Sequence, residues 1–219
     1  MPGTAQSAGS AKLARRMVAW RLPVVACALA ACAAGRAPER SVSPTVPADS
    51  ADYAVYDAVL DAHVFDEAGT SRGYVLTDST FGAPPGWLGV GNPAQALRPE
   101  LAGFASAAFP DFQSRNQRRV ALRASGFRSR AAAGMFPTAA LSALGSQNWE
   151  AFWEAFHARF PDARGPIALT RPGFTPDGAH ALVFVAEYAG GMGGRVGYLL
   201  LERRDGRWSV LQARILMEA

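Results

Sequence analysis

The C-terminal stretch 167–216 carries the pattern that most constrains the fold of this chain. Four short segments rich in β-branched, leucine and aromatic residues follow one another, and each predicts a strand: 167–171, 181–188, 196–202 and 208–216. Turn-forming residues join them, namely Pro176-Asp177-Gly178, the glycine-rich run 190–194 and Asp205-Gly206. Strands this close in sequence predict an antiparallel four-strand meander.

Helical spacing dominates the residues before the meander. Asp52 is placed to cap a first helix, and the residues that follow it on one helical face are Val55, Tyr56, Val59, Leu60 and His63. A second helix is predicted within 97–116, with an inward face of Leu101, Phe104, Ala105 and Ala108. A third is predicted from Ser146 to Arg159. Its aromatic stripe is typical of a core face and consists of Trp149, Phe152, Trp153, Phe156 and Phe160.

The remaining segments complete the predicted fold class. Residues 72–78 predict one further strand and 79–96 a long loop, whereas 117–146 gives no clear pattern. Because the C-terminal strands follow one another closely and the helices are grouped before them, the sequence predicts the α+β class. We expect a single domain over 51–219, in which the antiparallel sheet packs against two or three helices.

The N-terminal residues have the layout of an export signal. Basic residues come first, the apolar run 22–31 follows, and small residues precede Cys32. An apolar run of about 10 residues is too short for a bilayer core, which needs roughly 20. The sequence therefore predicts a signal peptide over 1–31. Translation from Met17 would keep it, because Arg21 still supplies a charged start.

Leu29-Ala30-Ala31-Cys32 resembles the lipobox of bacterial lipoproteins. The resemblance implies cleavage before Cys32, diacylglycerol on its sulfur and usually a further acyl chain, such as palmitate, on its amine. Several acyl chains give stable anchoring where one gives only marginal binding. Three alternatives stay open: an ordinary secretory signal with an incidental cysteine, a lipobox ending at Cys27, and twin-arginine export through Arg15-Arg16.

A tether is predicted over 32–50, which contains small residues, proline and serine but no aromatic residue. The chain has 22 Lys and Arg against 18 Asp and Glu, but four of the basic residues and none of the acidic ones precede Cys32. The residues from Cys32 onward therefore have a formal net charge of zero, which argues against a nucleic-acid partner. Removal of Cys27 with the signal and acylation of Cys32 leave no cysteine for a disulfide.

The stretch 167–210 resembles a group of uncharacterised exported bacterial proteins. In that group a Ser/Thr-Arg-x-Gly-Phe segment, here Thr170-Arg171-Pro172-Gly173-Phe174, leads into an Ala-Leu-Val strand. A glycine-rich hairpin and a Gly-x-Trp hairpin follow. Some relatives carry cysteines in the glycine-rich hairpin, where this chain has Met192. No activity is attached to the group, so the resemblance implies a fold for this stretch and no site.

The sequence contains no local motif that predicts a catalytic, cofactor or metal site. His63, His157 and His180 show no metal-ligand spacing, and no cysteine joins them. Ser125 stands outside any nucleophile-elbow pattern. A serine, a histidine and an acid can still meet in space, because triads are defined by geometry. We therefore expect no cofactor and no metal, and we assign no catalytic residue.

Three further groups each have a functional and a structural interpretation. The run 190–194 is favoured as a hairpin over a phosphate loop, because a strand follows it. Glu187 and Glu202 form a paired-carboxylate site only if they meet in space, and a solvated strand end is favoured for Glu202. One basic cluster predicts either contact with anionic lipid headgroups or a solvated helix face. It comprises Arg115, Arg118, Arg119, Arg123, Arg128 and Arg130.

These features favour a lipid-anchored protein of the cell envelope. With Ala33 after Cys32, we expect the periplasmic face of the outer membrane in a Gram-negative host. We expect a non-enzymatic module, attached to the membrane through its lipid, that binds an envelope protein or a small-molecule ligand. The alternative is an envelope hydrolase with a spatially assembled site. A histidine within hydrogen-bond reach of a carboxylate and a nucleophile would favour the hydrolase.

Overall fold

The computed structural model contains a mixed sheet of seven strands. It describes residues 46–63, 73–82, 92–145, 149–190 and 193–218. All of them belong to one compact unit of the chain, Ser41–Ala219. The predicted signal, the lipobox and residues 32–45 of the predicted tether lie outside the described residues.

Helices and strands alternate up to residue 169, and the described residues after it form strands without a further helix. The described helices are α1 (Ser50–Asp61), α2 (Ala102–Arg115) and α3 (Trp149–Arg159). The strands are β1 (Tyr74–Thr77), β2 (Ala132–Phe136), β3 (Pro166–Leu169), β4 (Gly173–Phe174), β5 (His180–Tyr188), β6 (Gly194–Arg204) and β7 (Arg207–Glu218). Short 3-10 turns lie at Pro93–Gln95, Pro99–Leu101, Ala124–Gly126 and Thr138–Gly145.

The sheet joins a parallel part to an antiparallel part. Its strand order is β2-β1-β3-β5-β6-β7, and the two-residue β4 pairs with β5 outside this path. Strands β3, β5, β6 and β7 pair antiparallel, which confirms the predicted α+β class and its C-terminal meander. Strand β1 pairs parallel with both β2 and β3, an arrangement that the sequence did not predict. Strand β2 lies in the stretch that gave no clear pattern.

Strand β5 carries the centre of the core because both of its faces are covered. Ala181, Val183 and Val185 pack with the apolar face of α1. The alternate residues Leu182 and Phe184 pack with α2 on the other face of the sheet. Eight consecutive residues of β5 are buried for this reason, and a strand covered on both faces reads as a continuous apolar run.

Tight turns close the meander where glycine permits positive φ. Asp205 and Gly206 have φ of 50° and 77° in the β6–β7 turn. Two consecutive positive values are what a type I′ hairpin needs, and Asp-Gly supplies them with little strain. The run 190–194 joins the antiparallel strands β5 and β6, so the hairpin prediction is confirmed there. Gly191 and Met192 lie outside the described residues.

The N-cap of the first helix lies three residues before the predicted one. Asp49 is the N-cap, and its side chain accepts a hydrogen bond from the backbone N–H of Asp52 at 2.9 Å. The prediction that Asp52 caps this helix was therefore wrong. Asp52 shares the inward face with Val55, Tyr56 and Val59 and is fully buried. The expected place of His63 on that face was wrong, because the helix ends at Asp61 and His63 is exposed. A carboxylate in that position needs charged partners.

The other two helices differ from the predictions in single residues. On α2, Ala105 and Ala108 are buried as expected, but Phe104 is 40% exposed, so its inward placement was wrong. Helix α3 is described from Trp149 onward, since 146–148 lie outside the described residues. Trp153 is 6% exposed and packs with Phe136 and Phe152, which confirms that the aromatic stripe is core. Among the described helices, none has the length and apolar character needed to cross a bilayer.

Candidate functional site

The densest constellation of charged side chains lies at the start of α1. Asp52 is 0% exposed, and each of its carboxylate oxygens contacts a guanidinium. Oδ1 accepts from Nη2 of Arg115, and Oδ2 accepts from Nε of Arg171 at 3.0 Å. Oδ2 of Asp49 accepts from Nη2 of both arginines, each at 3.0 Å. These four residues are termed the Asp–Arg cluster.

Three separate parts of the chain supply the cluster. Asp49 and Asp52 flank the first turn of α1, Arg115 is the last residue of α2, and Arg171 follows β3. The cap hydrogen bond from the Asp52 backbone to Asp49 places both carboxylates on the same side of the helix start. The cluster therefore ties both helices to the segment that follows the central sheet.

Asn116 fixes the backbone that carries the two arginines. Its Nδ2 donates to the carbonyl oxygens of Phe112 at 2.9 Å and of Arg171 at 2.8 Å. Its Oδ1 accepts from the backbone N–H of Arg171 at 2.7 Å. Because Asn116 is only 3% exposed, these bonds replace water and lock the end of α2 to the Arg171 segment.

Gly173 and Phe174 of the Ser/Thr-Arg-x-Gly-Phe segment contact α2 next to the Asp–Arg cluster. A Cβ atom at Gly173 would lie 2.3 Å from the backbone nitrogen of Phe112, so only glycine allows α2 to approach this closely. The ring of Phe174 lies 4.9 Å from Cζ of Arg115, within the range of a cation–π contact.

Thr170 and Tyr56 connect the same segment to the core. Oγ1 of Thr170 accepts from the backbone N–H of Phe184 at 2.8 Å, which fixes the end of β3 on β5. The buried hydroxyl of Tyr56 donates to the carbonyl oxygen of Thr170 at 3.1 Å. Thr170, Arg171, Gly173 and Phe174 of this segment therefore all lie in or beside the Asp–Arg cluster.

Burial and charge act against each other in this network. Burial raises the pKa of Asp52 to about 6, although Arg115 and Arg171 oppose the shift. Burial also acts to raise the pKa of Asp49, but the Asp52 backbone N–H and the two guanidiniums outweigh it and hold that pKa below its ordinary value. Burial raises the pKa of Tyr56 well above its usual range, so this phenol stays protonated.

At neutral pH the cluster holds two carboxylates and two guanidiniums and is formally neutral. Each Asp52 oxygen is occupied by an arginine of the same chain. A general base needs an oxygen that can reach a substrate proton, and Asp52 offers none in this arrangement. The geometry is that of a structural tie between elements.

Sequence reasoning missed the cluster, although two signals pointed to it. Asp52 falls on the apolar stripe of α1, where an unpaired carboxylate would be costly. Arg171 lies two residues after the end of a strand whose four residues are all buried. An acid and a base that both lie among core residues predict a buried pair, but only the fold shows that these two meet.

The three histidines do not assemble a catalytic group within the described part of the chain. The ring of His63 lies 5.9 Å from that of Tyr74, and the ring of His157 stacks on Trp153 at 5.6 Å. The ring of His180 stacks on Phe104 at 3.8 Å, and its Nδ1 is buried without a hydrogen-bond partner. Among the described residues, none of these rings hydrogen bonds a carboxylate or a hydroxyl.

One hairpin brings a hydroxyl, an acid and a histidine close in sequence. Oγ1 of Thr175 donates to Asp177 at 2.6 Å and accepts from the backbone N–H of His180 at 3.0 Å. The histidine contributes its backbone to this group and not its ring. These bonds close the β4–β5 turn, where Asp177 also accepts from the backbone N–H of Ala179. Ser125, the other nucleophile considered, lies exposed on the Ala124–Gly126 turn.

The two glutamates do not form a paired-carboxylate site. Glu187 lies opposite Arg195, near the end of β5, whereas Glu202 lies opposite His180 at its beginning. Glu202 pairs with the exposed Arg204 at 2.8 Å, which fits the expected solvated strand end. The sheet register therefore keeps the two acids at opposite ends of the β5–β6 pair.

The predicted arginine cluster divides into two parts. Arg115 belongs to the Asp–Arg cluster. The other five are exposed and follow α2 on a mostly irregular segment, so the solvated helix face was the wrong structural interpretation; they are Arg118, Arg119, Arg123, Arg128 and Arg130. The segment is held by Tyr53, whose hydroxyl accepts from the backbone N–H of Arg123 at 2.8 Å.

A cleft of about 320 Å³ opens beside the first two turns of α1. The ring of Tyr53 and two alanines give it an apolar wall, and Ser50, Asp57 and Arg128 add polar groups. Its lining comprises Ala48, Ser50, Tyr53, Ala54, Asp57, Gly126 and Arg128. The Asp57 carboxylate is already engaged, because it accepts from the backbone N–H groups of Arg128 and Ser129 at 3.0 Å each.

No group of three or more potential metal ligands occurs among the described residues. No protein-family model, curated protein or solved structure matches the chain. The resemblance of 167–210 to exported bacterial proteins, and that of 29–32 to a lipobox, therefore stay predictions.

Proposed function

We propose that this chain is a lipid-anchored protein of the cell envelope whose folded domain binds a partner molecule and does not catalyse a reaction. The lipid anchor is supported by Leu29-Ala30-Ala31-Cys32 at the end of a basic and then apolar segment. The formally neutral charge after Cys32 is consistent with an anchor that works through acyl chains.

The proposal of a binding role rests on the partners that the charged and histidine side chains have in the fold. The carboxylates of the Asp–Arg cluster accept hydrogen bonds from the guanidiniums of the same chain, and the described histidine rings pack on Tyr74, Trp153 and Phe104. Catalytic sites instead keep an acid or base within reach of a nucleophile and a substrate. A hydrolase is therefore the weaker of the two functions.

The cleft beside α1 is the candidate ligand site. Its volume of about 320 Å³ falls at the lower end of the range for small-molecule sites. The Tyr53 ring suits an apolar group, while the Ser50 hydroxyl and the Arg128 guanidinium suit a hydrogen-bonding or anionic end. We infer a small, partly apolar ligand with one polar end.

The anchor is tested by labelling the full chain with an alkyne analogue of palmitate in a Gram-negative host. The proposal expects label in wild type and in Cys27→Ser, and neither label nor membrane attachment in Cys32→Ser. Label that survives Cys32→Ser would overturn the assignment. Loss of label in Cys27→Ser alone would move the lipid to that residue.

The cleft is tested with Ala54→Trp, which fills it from an exposed position of its lining. We expect this variant to bind ANS, an aromatic dye with one anionic sulfonate group, more weakly than wild type. Ala151→Trp adds the same side chain to an exposed position of α3 and serves as the control. Equal dye binding in all three proteins would contradict the cleft assignment. Turnover of a chromogenic ester that is lost in His180→Ala would restore the hydrolase.

A further inference from the structure

We propose that the exposed arginines beside the first described residues form a surface that contacts anionic lipid headgroups. This proposal rests on the lipid anchor proposed above and adds an orientation to it: the domain lies on the bilayer with one particular face. The surface consists of Arg119, Arg123 and Arg128, with Arg118 and Arg130 next to them in sequence, and is termed the arginine surface.

The chain enters the domain beside this surface. The backbone N–H of Ala121 donates to the carbonyl oxygen of Val46 at 2.8 Å, and that of Ala48 donates to the carbonyl oxygen of Ala121 at 3.0 Å. Residues 46–48 therefore run alongside Ala121, and Pro47 forms a parallel bridge with it. Whatever precedes Val46 reaches the domain at this point.

Alternation along the extended segment directs the arginines outward. Val120 and Leu122 are each 4% exposed and belong to the core that lies under α1. Arg119 and Arg123 occupy the alternate positions and are exposed, one on each side of Ala121. In an extended chain successive side chains point to opposite sides, so these two flank the entry point.

Arg128 completes the surface from the next turn of the chain. It borders the cleft together with Ala48 and Ser50, the residues that directly follow the entry point. Gly126 brings its turn close to α1, since a Cβ there would lie 2.2 Å from the Tyr53 ring. The extended segment 119–123 and the turn 126–128 thus both carry exposed arginines and lie next to residues 46–50.

The acids near the arginine surface are occupied by other bonds. Asp57 accepts from the backbone N–H groups of Arg128 and Ser129, and Asp61 accepts from the Ser129 hydroxyl at 2.6 Å. Asp49 belongs to the Asp–Arg cluster. Within the described part of the chain, the five exposed arginines form no ion pair. Asp57 and Asp61 keep their negative charge, because their hydrogen-bond donors are neutral, but the five exposed arginines exceed these two acids in number.

The length of chain that precedes the domain makes a lipid surface the fitting occupant. From Cys32 to Val46 an extended chain spans at most about 50 Å. An acyl group on Cys32 would confine the entry point to that distance from the bilayer. Attraction between arginines and anionic headgroups acts within about one Debye length, roughly 8 Å at physiological salt. This attraction would bring the arginine surface, which lies beside the entry point, into contact with the bilayer.

The test compares binding of the full chain to vesicles of phosphatidylglycerol and to vesicles of phosphatidylcholine. A variant with Arg119→Gln, Arg123→Gln and Arg128→Gln removes the charge of the arginine surface. A control with Arg203→Gln, Arg204→Gln and Arg207→Gln removes equal charge from exposed positions around the β6–β7 turn. Circular dichroism verifies that each variant is folded.

We expect the preference for phosphatidylglycerol over phosphatidylcholine to fall about 10- to 100-fold in the first variant, since each arginine near an anionic surface contributes about a factor of five. The control variant should keep the preference, and added salt should weaken it in wild type. An unchanged preference in the first variant, or an equal loss in the control, would overturn the proposal.

The two proposals fail in different ways in this experiment. Binding to phosphatidylcholine reports the acyl anchor alone, and Cys32→Ser should abolish it. If wild type and Cys32→Ser bind phosphatidylcholine equally weakly, the anchor is wrong. The ratio between the two vesicle types still reports the arginine surface in that case.

Discussion

Asp52 and Arg171 lie 119 positions apart in the sequence, and their side chains form an ion pair in which Nε of Arg171 is 3.0 Å from Oδ2 of Asp52. The acid is fully buried, and the arginine side chain is 20% exposed. The pair joins the start of α1 to the segment that follows β3, so it links the N-terminal helix to the C-terminal sheet.

Arg171→Met should destabilise the domain by about 3 kcal/mol at neutral pH, because Asp52 then keeps only one of its two guanidinium partners. The loss should also move the pKa of Asp52 further upward. Urea denaturation measures the free energy of unfolding. Arg203→Met is the matched control, since that arginine is exposed and its loss should change stability by less than about 0.5 kcal/mol. Similar values for the two variants would show that the buried pair contributes little.

The Asp52 carboxyl should titrate near pH 6 in the folded protein, as followed by its NMR carbon shift. This pKa lies above the ordinary value of 3.8, so the folded state binds the proton more tightly than the unfolded state. The associated stability is present below about pH 4 and is lost as the pH rises through about 6.

Comparison with Asp52→Asn, which cannot titrate, isolates this effect. Between about pH 4 and pH 7 the wild type should lose about 3 kcal/mol of unfolding free energy relative to the variant, since each pKa unit corresponds to about 1.4 kcal/mol. Urea denaturation at several pH values gives the difference. A difference that does not change with pH, or that grows with rising pH, would show that the two arginines outweigh burial.

Gly173→Ala should destabilise the domain by about 1–3 kcal/mol, because the new methyl group would overlap the backbone of α2 at Phe112. The same substitution at Gly190 meets no atom within 4 Å and should be nearly neutral. Thermal unfolding of both variants makes the comparison. Equal midpoints would mean that α2 can move away from β4 without loss.

Trp153→Ala should cost about 3–5 kcal/mol, the range for deleting a large buried aromatic side chain. Trp153 packs edge-on against Phe152 and Phe156, in a cluster that joins α3 to β1 and β2. Glu154→Ala changes the neighbouring exposed residue and should leave the unfolding midpoint in urea almost unchanged. A small effect of the tryptophan substitution would mean that α3 contributes little to the folded state.

Local sequence patterns were enough to predict the C-terminal meander, because its turns and paired strands are neighbours in sequence. Asp205-Gly206 encodes its own turn, and the strands on either side are neighbours in sequence. The aromatic stripe of α3 likewise repeats at helical spacing around Trp153. The parallel pairing of β1 escaped prediction because its partners, β2 and β3, are distant in sequence and reached through crossovers. Only tertiary contacts specify that register.

The Asp–Arg cluster shows where sequence reasoning stops. An aspartate at the start of a helix predicts an N-cap, because aspartate is one of the preferred N-cap residues, and Asp52 fits that pattern. In the structure, Asp49 is the N-cap. The burial that distinguishes the two acids comes from elements more than 60 positions away, as the Arg115 contact shows. No pattern local to α1 contains that information.

The way residues 46–48 enter the domain determines how it would respond to a pulling force. Tension applied through the preceding chain would first load the two backbone hydrogen bonds to Ala121 and then the Asp49 cap. Because Asp49 is bonded to both Arg115 and Arg171, the force would pass from there into α2 and the sheet at once. The bonds at the start of α1 would therefore resist unfolding of the domain when tension is applied to the residues that precede it.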